Sequence, residues 1–88
     1  MAIEYDPAKS TSNARKHGVS LDEAATAMLD PHVLAQEDGT SEGEARWVLL
    51  GLSAAGRLLA VVYTLRGDNV RLISARRATT KEERTYAQ

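Results

Sequence analysis

Residues 62–79, VYTLRGDNVRLISARRAT, place Thr64, Arg66, Arg71, Ser74, Arg76 and Arg77 close together in what reads as two strands about a tight turn. A guanidinium is a planar fork of N–H donors that matches a phosphate or carboxylate. A hydroxyl beside it can orient the bound oxygen. In an alternating strand Leu72, Ser74 and Arg76 point one way and Arg71, Ile73, Ala75 and Arg77 the other, while Thr64 and Arg66 share a face of the preceding strand. A three-residue loop pairs Arg66 with Val70 and puts Thr64, Arg66, Ser74 and Arg76 on one face. A two-residue loop pairs Arg66 with Asn69 and separates them. Both registers stay open. Arg76, mid-strand beside the small Ala75, suits a phosphate site. For Arg57, Arg77 and Arg84 the preferred reading is a stem on the sheet and a head in water.

A second set lies near the N-terminus. Lys9, Asn13 and Lys16 fall at helical spacing and share one face, either as an extension of a phosphate site or as a plain solvated face. His17, at the helix end, is a candidate general acid or base; as a cation it also suits the helix dipole. His32 after a proline reads as structural, and Trp47 and Tyr63 as core. There is no Gly-rich phosphate loop, H-E-x-x-H or nucleophile elbow. The acids gather at 37–44 and at helix starts rather than converging with the bases, so no metal or cofactor is expected. Phosphodiester chemistry without a metal is feasible on RNA, whose own 2′-OH can attack the neighbouring phosphate. The protein has only to orient the strand, shift protons and stabilise charge.

The elements that must position these groups are legible. Residues 2–5 form a short first strand. Asp6 caps a helix with Pro7 at its first position, running to His17 and ended by Gly18. Its apolar face (Ala8, Thr11, Ala14) is weak. Ser20 and Glu23 form a capping-box pattern before a second helix, with Leu21, Ala24, Ala25, Met28 and Leu29 as its buried stripe, stopped at Asp30-Pro31. HVLAQ (32–36) is expected as a strand and 37–45 as an acidic loop. RWVLLGLS, RLLAVVYTLR and VRLISARR are three strands joined by turns short enough to force antiparallel pairing. LLAVVY (58–63), apolar at both parities, belongs in the sheet centre. Thr80 and Glu83 are expected to box the start of a final helix. The order β-α-α-β-β-β-β-α gives an α+β fold, an antiparallel sheet packed against helices, in one domain over residues 1–88.

Composition bounds the rest. The 88 residues contain no cysteine, which excludes disulfides and thiolate sites, and no run of apolar residues long enough to span a membrane. The start of the chain is not a signal peptide, so a cytoplasmic location is expected. Net charge is −1, but residues 1–44 carry nine acids against three bases, and residues 45–88 eight bases against three acids. Seven of those eight bases are arginine. Either one face is basic, or the two halves neutralise each other.

The segments EYDPAKSTSNARKHGVSLDEA, DP at 30–31, SEGEARWVLLG, GRLLAVVYTLRGDNVRLISARRAT and ERTY resemble the BrnT toxins nearly end to end. The most specific pieces are D-P-x-K-x-x-x-N-x-x-K-H-G-V (Asp6–Val19) and I-S-A-R-R-A (Ile73–Ala78). The resemblance implies a RelE-like ribonuclease fold and the toxin of a type II toxin–antitoxin pair, one that cuts RNA and halts translation; together with the scattered acids, the expectation is a metal-independent endoribonuclease. It implies a BrnA-like antitoxin with a ribbon-helix-helix domain, in a heterotetramer that meets operator DNA only through the antitoxin and represses the operon. The motif positions are Lys9, Asn13, Lys16, His17, Arg46, Thr64, Arg66, Ser74, Arg76 and Arg84. Where the family pattern has His before S-x-G-E this chain has Thr40, which shifts weight to His17. On this reading Arg66 and Arg76 hold the scissile phosphate, Ser74 orients it, Lys16 or His17 moves protons, and Lys9, Asn13, Arg46, Thr64 and Arg71 bind the substrate. The alternative is a non-catalytic RNA-binding or antitoxin-docking module.

Overall fold

A computed structural model describes residues 2–41 and 43–88. The elements are β1 (Ile3–Glu4), α1 (Pro7–His17), α2 (Leu21–Ala27), β2 (Leu34–Ser41), β3 (Glu44–Leu52), β4 (Leu58–Arg66), β5 (Asn69–Arg77) and α3 (Thr80–Tyr86). The strands form one sheet in the order β1-β5-β4-β3-β2. The fold is α+β as expected, but the sheet is mixed. β1 pairs parallel with β5 through Ile3↔Val70 and Glu4↔Arg71, while all other pairs are antiparallel.

Local signals set the helix ends. The Asp6 carboxylate accepts the Ala8 N–H at 2.8 Å, Pro7 opens α1, and Gly18 closes it at φ 72°, donating its N–H to Ala14. The Ser20 hydroxyl accepts the Glu23 N–H at 3.0 Å. The carboxylate of Glu23 does not close the expected box, because it is held by Arg57 and Ser53. Arg57 therefore does not extend into water; its guanidinium also donates to the Gly18 carbonyl. At α3 the box forms one residue earlier than expected, with Thr79 and Glu82.

Two further expectations change. Residues 37–41, read as loop, extend β2, because the pairing Thr40↔Ala45 resumes after an irregularity at 38–39; Glu42 of that segment lies outside the described residues. In α2, Ala27 is fully buried and Leu29 is 74% exposed, since the helix ends before Leu29 can turn inward.

The core lies between α1–α2 and one sheet face. It contains Val19, Leu21, Ala24 and Ala27 from the helical side and Leu49, Leu59, Val61, Tyr63, Val70, Leu72 and Ala75 from the sheet. Tyr63 is buried, which raises its phenol pKa, and Trp47 packs against the cluster, as read from the sequence. A Cβ on Gly51 would sit 2.4 Å from the Ala27 carbonyl oxygen, so only glycine lets α2 approach β3 this closely. Among the described residues no helix is long and apolar enough to cross a membrane.

Candidate active site

The odd residues of β4 (Leu59, Val61, Tyr63) enter the core. Thr64, Val62 and Ala60 therefore present the other face. Residues directly opposite in neighbouring strands share a face, so this face is built from cross-strand rows. One row is Arg46–Thr64–Arg71, the next Val48–Val62–Ser74, the next Leu50–Ala60–Arg76. Arg66 stands beyond the first row, opposite Asn69.

The open question of the hairpin is thereby answered in an unexpected way. The turn has two residues, Gly67 (φ 62°) and Asp68, so Arg66 pairs with Asn69. That register alone would send Ser74 and Arg76 to the core face. The ladder instead jumps from Tyr63↔Leu72 to Val62↔Ser74, leaving Ile73 without an opposite residue. One extra residue reverses the parity of everything after it. The bulge at Ile73 thus returns Ser74 and Arg76 to the face of Thr64 and Arg66, and keeps Ala75 in the core.

α1 supplies one wall. β1 pairs only as far as Arg71, so the outer edge of β5 beyond it is met by α1 instead. Lys9, Ser12, Asn13, Lys16 and His17 join Ile73 and Ser74 around a groove of about 310 Å³. Lys9, Lys16 and His17 are exposed and Ser74 half-buried. Asn13, expected at the substrate with them, is 7% exposed, and its carboxamide is turned to the protein backbone.

α3 supplies the other wall, leaning over Leu34, Gln36, Val48 and Leu50 to frame a groove of about 620 Å³. Here Arg76 is not a free mid-strand cation. Its fork donates to both oxygens of Glu82, at 2.7 and 2.9 Å, and Nη1 also donates to the Arg77 carbonyl. The Arg76 guanidinium, helped by the Thr79 N–H, holds the Glu82 carboxyl down to about 2.

Two other arginines of the face also meet acids. Arg66 lies 3.2 Å from Glu44 and Arg46 4.0 Å from Asp38. The charge asymmetry of the two halves is therefore partly folded into pairs across the sheet. The buried Nε–H of Arg46 has no acceptor among the described residues. Thr64, between Arg46 and Arg71 in its row, is only 4% exposed.

Geometry thus divides the expected residues. Lys9, Lys16, His17 and Ser74 converge at the α1 groove, with Arg71, Thr64 and Arg46 in the row beside Ser74. Arg66 and Arg76 do not converge. Arg76 is opposite Ala60, six residues along β4 from Arg66 and roughly 20 Å of strand at ~3.3 Å per residue. Each is turned to its own carboxylate, so the two do not clamp one phosphate. Sequence reasoning missed the acidic partners Asp38, Glu44 and Glu82, whose pairings span 6 to 22 residues of chain and leave no local pattern. Thr40 is exposed on β2.

A family model described as "Ribonuclease toxin, BrnT, of type II toxin-antitoxin system" matches residues 5–82, a span that contains the helix wall, the bulge and every arginine of the face. The chain belongs to the BrnT family. The crystal structure of the Brucella abortus ribonuclease toxin BrnT superposes with a TM-score of 0.64 at 23% identity, covering 91% of this chain and 99% of that one. At that identity the likeness establishes the shared fold. No curated protein sequence matches significantly. BrnT proteins are ribonuclease toxins of type II toxin–antitoxin systems, and the open sheet face of this member carries Arg46, Arg66, Arg71 and Arg76.

Proposed function

We propose that this BrnT-family chain is an endoribonuclease that cuts RNA without a metal ion, by attack of the 2′-oxygen on the adjacent phosphorus. In that step the O2′–P bond forms and the P–O5′ bond breaks, leaving a 2′,3′-cyclic phosphate and a 5′-hydroxyl. The proton leaves the 2′-OH and one is delivered to O5′. The observation that carries the proposal is the convergence of Lys9, Lys16 and His17 with Ser74 at one groove, beside Arg71. The scissile phosphate sits at Ser74, whose hydroxyl orients it. Lys16 and His17 move the protons. Arg71 and Arg46, with Thr64 between them, stabilise the charge that develops on phosphorus and hold the adjoining backbone. Lys9 extends the cationic wall. Arg66 contacts the strand further along. Arg76 takes a separate phosphate, after release from Glu82, or serves α3 alone. Asp38, Glu44 and Glu82 each face an arginine, which supports a role in balancing those cations rather than in binding an ion.

Cleavage of RNA halts translation. The partner is a BrnA-like antitoxin with a ribbon-helix-helix domain, which covers the cationic face in a heterotetramer and brings it to operator DNA. The decisive experiment incubates purified protein with RNA in excess chelator and maps the new ends. Cleavage with 5′-hydroxyl ends, lost on Ser74→Ala combined with His17→Ala, is expected. Activity that vanishes in chelator and returns with magnesium or manganese overturns the mechanism. A second reading, a non-catalytic RNA-binding or antitoxin-docking module, draws on the ion pairs that occupy Arg46, Arg66 and Arg76. Binding of RNA without any cleavage selects it.

A further inference from the structure

We propose that Asn13 is the positioning residue of this site, a carboxamide that takes the place of a missing strand on the outer edge of β5 and so locks the α1 wall against Ser74. The inference rests on the reading of that groove as the cleavage site.

β1 ends its pairing at Arg71, and the bulge at Ile73 follows at once. Beyond it, Ala75 lies opposite Val61 of β4, but its own N–H and C=O point to the other side, where no strand of the described residues runs. A buried, unpaired peptide group there would be costly. Asn13 meets both groups. Its Nδ2 donates to the Ala75 carbonyl at 2.7 Å, and its Oδ1 accepts the Ala75 N–H at 3.3 Å, as a neighbouring strand would. The second Nδ2 hydrogen goes to the Val19 carbonyl at 2.7 Å, just past the turn at Gly18 that ends α1. Both hydrogens and the oxygen are thereby in use, so this amide offers no remaining donor to a phosphate.

The position of these bonds gives them their consequence. Ala75 is adjacent to Ser74, and Asn13 lies on α1 between Lys9 and Lys16, one turn from each. The Val19 bond fixes the chain immediately after His17. One amide therefore sets how far Lys9, Lys16 and His17 on the wall stand from the hydroxyl on the floor. α1 has little apolar surface to do this by packing: the α1 residues it buries are Ser10 and Asn13. Displacement of a catalytic group by about 1 Å can lower a rate by roughly a hundredfold.

The test uses the full chain, with Asn13→Ala and the near-isosteric Asn13→Asp, which keeps the acceptor but loses both donors. Amide exchange in the parent should show Ala75 as protected as the β4–β5 ladder, although no strand covers it. In Asn13→Ala, Ala75 exchange should accelerate at least ~10-fold relative to Val61, and in both variants the His17 ring resonances should shift, because both lose the donors to the Ala75 and Val19 carbonyls. Single-turnover cleavage should fall at least ~10-fold, while the Kd for the same oligonucleotide with a 2′-deoxy cleavage site stays within about threefold. Three results would each overturn the proposal. One is an unprotected Ala75 amide in the parent, a measurement that needs no variant to fold. Another is a loss of affinity matching the loss of rate, which would put Asn13 on the RNA. The third is an unchanged rate despite the lost protection, which would make the bond structural only. Absence of cleavage by the parent refutes the functional reading instead, and the exchange and His17 resonances still decide the positioning role.

Discussion

Replacing Glu82 with Gln should destabilise the fold at neutral pH and have almost no effect in strong acid. Glu82 accepts both arms of the Arg76 fork and the Thr79 N–H that opens α3. Gln keeps one acceptor oxygen for the cap but loses the charge and the second acceptor. The drop of the Glu82 pKa from an ordinary 4.5 to about 2 corresponds to at most roughly 3 kcal/mol. Arg76 is 46% exposed and Glu82 25%, so solvent screening reduces this to on the order of 1–2 kcal/mol. For a chain of this size that is a fall in Tm of roughly 4–15 °C. A carboxyl whose folded pKa is depressed contributes stability above its unfolded value, and that stability is lost as pH falls toward the folded value. The gap in Tm between parent and Glu82→Gln should therefore be full above about pH 5 and close between there and about pH 2. Thermal melts across that range, repeated with Arg76→Ala and the double variant, isolate the coupling of the pair. Equal melting at pH 7, or a gap that persists undiminished at pH 2, would refute the reasoning. The same geometry sets the expectation for Arg76 itself. An unpartnered mid-strand arginine would be removable with little loss of stability, whereas this one should lose stability on Arg76→Ala along with its hold on α3.

Other outcomes follow from the same contacts. Arg71→Ala should lower single-turnover RNA cleavage about a hundredfold, the scale of one lost charge-stabilising donor, with Arg71→Lys recovering only part and the control Arg77→Ala, on the opposite face, changing it little; equal loss in Arg71→Ala and Arg77→Ala would place the site on the wrong side of the sheet. Gly51→Ala should cost about 1–3 kcal/mol in urea unfolding, because its Cβ meets the Ala27 carbonyl oxygen, a backbone atom that can yield only if α2 moves; a neutral result would show α2 free to shift. Ser10→Ala should cost roughly 1–2 kcal/mol, since the buried Ser10 hydroxyl accepts the N–H groups of Leu21 and Asp22 at the start of α2; unchanged stability would mean those donors find another acceptor. Asp30→Ala should speed proteolysis of the last residues of α3, because Asp30 bonds the Tyr86 hydroxyl as well as the His32 and Leu52 N–H groups. These bonds hold the Asp30 carboxyl below its usual range, so the protection it confers should weaken only as pH falls below that range toward the lowered value.

What the sequence determined by itself is what is settled within a few residues of chain. Asp6-Pro7, Gly18 and Ser20 delimit α1 and α2, because a cap or a left-handed residue answers to donors and carbonyls at most four positions away. The strand segment RWVLLGLS (46–53) and the apolar run 58–63 place β3 and β4, and the short turns force their pairing. Tertiary structure decided the site. Whether Ser74 and Arg76 share a face with Thr64 depended on the bulge at Ile73, which follows from where β4 and the core accept β5, and no local preference distinguishes it from a regular ladder. Asn13 read as one member of a polar helix face; only the missing strand beside Ala75, 62 residues away, turns it inward. Arg76 read as free because Glu82 sits on a helix whose cap lay one residue from the expected one. Charge and amide groups act over whatever distance the fold closes, so their partners are set by register and packing rather than by spacing in the chain.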